Sequence, residues 1–575
     1  MKKTLFGCVV GALFLMSCGG RDSSTSSSET VWGTGSYYLK SEARKVALYD
    51  ISKEDSVSVA TVLPRGTQVR VDDTQKRKVA GENYLTVKDA SGKHYYAKES
   101  SLVASRNDVV TEKRMYVRTP ASIITDIATS KIGGLAAKGS KVEILDYDTL
   151  LANGVVNRYK VRYGKTEGYV YGKYLVADEA ASKLNYKANI YDKKHRAVKN
   201  SFGGGEAIGC DFYPTERVEI PGNKMPEACY SLYLNISPSV LGNIEAYIAL
   251  AKRTKINTFT IDIKDNECPG YKADAMKLYS PTNYRYAGDK EKLYKSVVAR
   301  LKREGFYVVG RITCFKDSHF VKDHPECAIT ERATGKPFRH NKAYWPSAYD
   351  RKVWQFNVEL AKEAVRKFGF NEINFDYVRF PDRMTRAERG NVIDYHNRYN
   401  ESKVQAIQRF VMYACDELHA VGAYVSIDVF GEAANPGYTT AYGQYWPALS
   451  NVADVMCGMP YPDHFTNGYY GVQKPWNNPY KILNEWGKRV QDRQSITPTP
   501  AKVRTWVQAY KVMRHVDRNG LEYDAADVEQ EIRGLYAAGL VDGYITWNSA
   551  SKLDKYKRQE GAFAIDYLKE YKRKK

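Results

Sequence analysis

Gly369-Phe370-Asn371-Glu372-Ile373-Asn374-Phe375-Asp376-Tyr377-Val378-Arg379-Phe380-Pro381 decides the fold of this 575-residue chain. Polar and apolar residues alternate from Glu372 to Asp376, the period of two expected of a strand. Asn374 and Asp376 therefore share one face and Ile373 and Phe375 the other. A helical pattern at 353–367 precedes the strand and another follows at 403–418. A short strand between amphipathic helices, with a carboxylate at its C-terminal end, is one unit of an α/β fold.

Seven further runs of this kind lie at 231–236, 258–263, 307–313, 424–428, 453–459, 503–508 and 543–547, with helical stretches such as 289–304 and 527–538 between them. Eight βα units predict a (β/α)8 TIM barrel over residues 229–575. An open doubly wound sheet would need a glycine-rich phosphate loop after its first strand, and Ile236-Ser237-Pro238-Ser239 is not one.

Chemistry in a TIM barrel sits at the C-terminal ends of the strands. There the sequence places Asp262, Lys264 and Asp265 on strand two and Arg311 on strand three. Strand four ends with Asn374 and Asp376, followed by Arg379; strand five ends with Asp428, with Glu432 in the next loop. Tyr461, Asp463 and His464 follow strand six, Gln508 ends strand seven and Trp547 ends strand eight. Polar-inward alternation aims Asp376 and Asp428 into the barrel mouth from adjacent strands, a pairing that suits glycoside hydrolysis. Cationic neighbours would keep one carboxylate ionised, and burial among Tyr and Trp would raise the pKa of the other. The alternative is that inward charges only pair with one another. No Cys-x-x-Cys or His-Glu-x-x-His spacing occurs, and His319, His324, His340 and His464 have no ligand spacing, so no metal or other cofactor is expected.

Residues 230–550 resemble a bacterial glycosyl hydrolase family with a TIM-barrel domain. The resemblance rests on the strand-four stretch together with Ile261-Asp262-Ile263-Lys264-Asp265, Val425-Ser426-Ile427-Asp428-Val429-Phe430-Gly431 and Met459-Pro460-Tyr461-Pro462. It implies a fold and a reaction class but no substrate. Asp463 stands where the family has a small hydroxyl residue, which makes it a third acidic group or a difference in substrate range. The expected assignment is a retaining glycosidase with Asp376 as nucleophile and Asp428 as general acid/base, Glu432 being the rival acid. Asp262, Lys264, Asp265, Arg311, Asn374, Arg379, Tyr461, Asp463, His464, Gln508 and Trp547 are expected to bind substrate. Acids on strands four and five, with Gln508 on strand seven, look like α-glycosidase barrels. A glycan-binding envelope lipoprotein without turnover is the competing expectation.

The N-terminus carries Lys2 and Lys3 and then an apolar stretch, Leu5 to Met16, too short to span a bilayer. Leu15-Met16-Ser17-Cys18 resembles a lipobox, so residues 1–18 are expected to be a lipoprotein signal with lipidation at Cys18. Residues 19–37 follow as a Ser/Gly-rich tether. Export and lipid anchoring to a bacterial membrane follow, on a side the sequence does not give.

Residues 38–105 and 106–178 alternate short strands with turns, and the second stretch carries Met115-Tyr116-Val117-Arg118, Gly139-Ser140-Lys141-Val142 and Glu167-Gly168-Tyr169-Val170 in order. These segments resemble two tandem bacterial Src-homology-3-like (SH3-like) barrels, which implies contact with peptidoglycan; a spacer role is the alternative. Residues 179–228 read as a linker with little core, containing Gly203-Gly204-Gly205. Of nine cysteines, Cys210 and Cys229 are the expected disulfide pair. The formal charge is +21, from 87 Lys and Arg against 66 Asp and Glu, and there are 46 Tyr. In an exported chain that excess points to anionic glycans or lipid head groups, not nucleic acid.

Overall fold

The computed structural model describes residues 31–184, 209–435 and 441–575. The signal, Cys18, most of the expected tether and Gly203-Gly204-Gly205 lie outside the described residues. The chain divides into two compact units, the first running to Thr111 and including Ala152–Gly154, the second comprising Glu112–Leu151 and Val155–Lys575.

The first unit is a seven-stranded antiparallel sheet that begins at Gly35, slightly before the expected start. Leu39, Val46, Leu48, Val69, Val71, Leu85 and Val87 fill its core. The second unit opens with another seven-stranded antiparallel sheet. Numbered within each sheet, the strands lie in the same spatial order, 3-2-6-5-4-1-7, in both. A shared strand order is what two copies of one repeat would give.

The remainder of the second unit is a parallel sheet that nearly closes on itself. Its strands are β1 (Cys229–Leu234), β2 (Thr258–Asp265), β3 (Tyr307–Thr313), β4 (Glu372–Asp376), β5 (Tyr424–Phe430), β6 (Val455–Met459), β7 (Thr505–Gln508) and β8 (Gly543–Trp547). Between them run helices such as α1 (Ile244–Lys252), α2 (Glu291–Arg303), α3 (Arg351–Phe368), α4 (Lys403–His419), α5 (Pro479–Ser495) and α6 (Ala525–Ala537). The arrangement agrees with a TIM barrel preceded by all-β domains. Nearly every strand residue is buried, as expected when helices cover one face and side chains fill the other.

Closure depends on two local features. Lys502–Val503 pairs with β6, and after Arg504 the chain shifts so that β7 pairs with β8. Gly543 sits opposite Cys229 at φ +108, where a Cβ would lie 2.0 Å from the Cys229 carbonyl oxygen, so only glycine lets β8 meet β1. The helices have clear ends. Asp350 caps α3 by accepting from the Lys352 N–H, Gly369 ends it at φ 81, and Ser402 with Gln405 forms a capping box on α4.

Two expectations are corrected. Cys210 and Cys229 are free thiols: Cys229 is in β1, where its sulfur meets Arg504, and Cys210 lies beside Phe212. The described part of the linker, from Gly209, is a strap laid on the barrel. Phe212 packs against Val404, Tyr445 and Ala448, and the Asn223 amide donates to Asn371 O (2.7 Å) and Gly422 O (2.8 Å). Arg118 of the second sheet pairs with Asp211 of the strap at 3.1 Å, and its Tyr174 hydroxyl donates to Asp416 of α4 at 2.8 Å.

Candidate active site

The barrel interior holds two charged storeys. In the lower one, Arg504 donates to Glu372 at 2.7 and 3.2 Å, and the Tyr307 hydroxyl donates to the same carboxylate at 3.1 Å. One cation meets one anion there, out of reach of solvent. A middle layer is neutral: Ser231 and Thr260 share a hydrogen bond, and the Asn374 amide donates to Ser426 Oγ at 3.1 Å.

The upper storey opens into a cleft of about 460 Å3. Arg311, buried on β3, pairs with four carboxylates: Asp262 (2.7 Å), Asp265 (3.5 Å), Asp376, and Asp428 (3.8 Å from Nε). Four acids around one cation cannot all ionise without cost. Burial, opposed by Arg311 and helped by Asp265, pushes Asp262 up to about 6. Burial first, and the Asp376 charge second, push Asp428 well above the usual carboxylate range.

The two central carboxylates differ in their contacts. Asp376 accepts from the Tyr377 backbone N–H at 2.6 Å through Oδ1 and from Arg311 through Oδ2. Asp428 accepts from Trp506 Nε1 (2.7 Å) and the Asn374 amide (2.9 Å), both through Oδ1. Its Oδ2 is buried without a hydrogen-bond partner. Tyr377 itself sits at φ 51, a strained conformation for a bulky residue, immediately after Asp376.

Of the expected site residues, Asp262, Asp265, Arg311, Asp376 and Asp428 line the cleft together with Arg379, Tyr461, His464 and Trp547. Asn374 lies beneath, holding Asp428. Lys264 is outside: a bulge between Asp262 and Lys264 interrupts the alternation. Its ammonium instead meets Asp317 (2.9 Å) and the face of Phe356 on α3. Asp463 does not line the cleft either; it accepts from the Tyr510 hydroxyl (2.7 Å) and the Met513 N–H (3.1 Å), tying two loops together, and its own N–H donates to Gln508. Glu432 is half-buried in a turn outside the cleft lining, its carboxyl pushed up by burial and by Asp382. Sequence reasoning left out Tyr233, whose hydroxyl donates to Asp262, and the hydrogen bond of Trp506 to Asp428. Alternation on β1 carried the signal for Tyr233; nothing local revealed the partner of Trp506.

Residues 231–553 match the family described as "Putative glycosyl hydrolase domain". The chain belongs to that family. No curated protein matches the chain. Among solved structures, a hypothetical protein from Ruminiclostridium thermocellum ATCC 27405 is 30% identical, over 34% of this chain and 97% of its own, with a TM-score of 0.29. The PgaB (BpsB) glycoside hydrolase domain from Bordetella bronchiseptica is 13% identical, over 59% of this chain and 99% of that one, at a TM-score of 0.42. Catalytic domain 2 of an Ostrinia furnacalis Group II chitinase is 12% identical, over 61% and 97%, at 0.35.

Proposed function

We propose that this chain hydrolyses glycosidic bonds with retention, using Asp376 as nucleophile and Asp428 as general acid/base. One observation carries the reading: Asp428, a residue of the cleft lining, is a buried carboxyl pushed up in pKa, and its Oδ2 has no hydrogen-bond partner. A protonated Oδ2 donates its proton to the glycosidic oxygen as the C–O bond breaks. Asp376, oriented by Arg311 and the Tyr377 N–H, attacks the anomeric carbon and forms a glycosyl ester. Asp428, now ionised, takes a proton from water as that water opens the ester. Trp547, Tyr461 and His464 offer rings and polar edges to the sugar.

The substrate we assign is an envelope or extracellular polysaccharide, with an α linkage favoured by the acids on β4 and β5. The signal and Cys18 anchor the chain to a membrane by lipid after export. The two antiparallel sheets act as SH3-like modules that contact peptidoglycan or space the barrel from the surface. Assaying Asp376→Asn and Asp428→Asn on envelope glycans, with NMR of the first-formed anomer, tests the reading. Wild-type turnover by either variant, or an inverted product, sinks the corresponding assignment. A second reading, binding without turnover, is favoured by one fact: Arg311 already pairs with all four acids. It predicts glycan affinity in wild type with no product formed.

A further inference from the structure

A second groove, of about 620 Å3, lies on the same end of the barrel and shares no lining residue with the first. Its walls come from segments after β2 and β3: the helices Pro281–Tyr286 and Ser318–Asp323, and the loop with Lys336 and Tyr344. The two grooves share a partition. Ser318 Oγ donates to Glu267 at 2.7 Å and accepts from the Tyr344 N–H at 3.0 Å. Glu267 in turn lies between Asn266 and Cys268, which line the catalytic cleft.

The groove offers a flat aromatic surface. The Tyr286 ring stacks on the His319 imidazole with centroids 4.6 Å apart and planes 9° from parallel, yet Tyr286 remains 62% exposed. Tyr344, 36% exposed, lines the same groove. An open ring face with a polar edge suits the apolar side of a pyranose.

Its charge is one-sided. Lys322 and Lys336 line the groove, and neither has a carboxylate partner among the described residues. Glu331, near Lys336, accepts from Thr334, and three other acids of this stretch are committed elsewhere. Asp317 holds Lys264, Asp323 accepts from Ser280 and Thr282, and Glu326 pairs with Lys352. Between the grooves, the Lys316 ammonium stands 5.1 Å over the ring of Tyr377, which lines the catalytic cleft. Lys316, Lys322 and Lys336 thus set three cations along this face, with Glu267 in the partition as the anion beside Lys316.

We infer that this groove is a distal subsite of the active site that takes an acidic sugar residue, a uronate or a sulfated sugar, of the chain being cleaved. The inference rests on the glycosidase reading for the neighbouring cleft. The test uses full-length Asp428→Asn protein in calorimetric titrations with hexasaccharides of galacturonate, mannuronate and heparin, and with maltohexaose and chitohexaose as neutral controls. At least one acidic hexamer is expected to bind about tenfold more tightly than either neutral one. That preference should fade as salt rises from about 50 to about 500 mM. Lys322→Gln with Lys336→Gln, and separately Tyr286→Ala, should each lose about tenfold of the acidic affinity with an unchanged melting temperature. Equal affinity for acidic and neutral hexamers, or full affinity in the lysine variant, overturns the subsite. So does lysine-dependent binding confined to phosphatidylglycerol vesicles. Because binding is read on an inactive protein, failure of the subsite leaves the hydrolase assays untouched, and loss of the hydrolase reading leaves this affinity difference measurable.

Discussion

The two storeys of the barrel interior each hold one buried arginine, and they are built on opposite principles. Below, Arg504 faces the single carboxylate of Glu372, its charge matched and sealed. Above, Arg311 faces four carboxylates and an open cleft. A matched buried pair leaves no charge over, so it serves the fold. An excess of acid around one cation forces protons onto some of the carboxyls, and a carboxyl holding a proton near neutrality can donate it.

The largest expected effect comes from the upper storey. Asp428→Asn should reduce kcat by about a thousandfold while the melting temperature holds, because the amide keeps the volume and an oxygen to accept from Trp506 and Asn374. A variant that loses stability but keeps turnover would reverse the roles of the two storeys.

Arg504→Met strands the Glu372 charge in the lower storey and should cost about 3–5 kcal/mol of stability in denaturant titrations. Adding Glu372→Leu to it should restore most of the loss, since no charge is then left unpaired. Failure of the double variant to recover would mean that the lower pair does more than balance itself.

Asp262→Asn separates the storeys by pH. Native Asp262 keeps its proton up to about 6, whereas an ordinary carboxyl loses it near 3.8. Between those values the native state binds the extra proton, so stability falls as pH rises through the window. The asparagine variant should show a flatter profile of melting temperature there; an unchanged slope would assign the titration elsewhere.

The smallest effect expected is that of Trp506→Phe. The indole N–H favours the ionised form of Asp428, so its loss should raise that pKa further. The basic limb of the rate profile should move up by about half a unit. A downward move would contradict the assignment of Asp428 as the acid.

Much of the upper storey was legible from alternation. Asp376 and Asp428 face inward because Ile373, Phe375, Val425 and Ile427 belong to the helix-facing core. Lys264 was misdirected by the same rule, since one bulge on β2 reverses every later side chain. Asp463 and Gln508 look like site residues on a strand-by-strand reading, but the loops after β6 and β7 use them to hold each other. Glu432 falls outside the cleft lining because the chain turns at Gly431, immediately after β5.

Sequence alone determined the succession of βα units, the repeat of the two antiparallel sheets and the inward direction of the central carboxylates. All of these follow from short-range periodicity and turn chemistry. Tertiary structure decided that β7 splits at Arg504 to close the barrel, that residues from Gly209 strap it, and that Arg311 collects four acids. Those features depend on contacts between residues far apart in the chain, and the protonation of Asp428 depends on the burial those contacts create. Local pattern can aim a carboxylate, but only packing can take its water away.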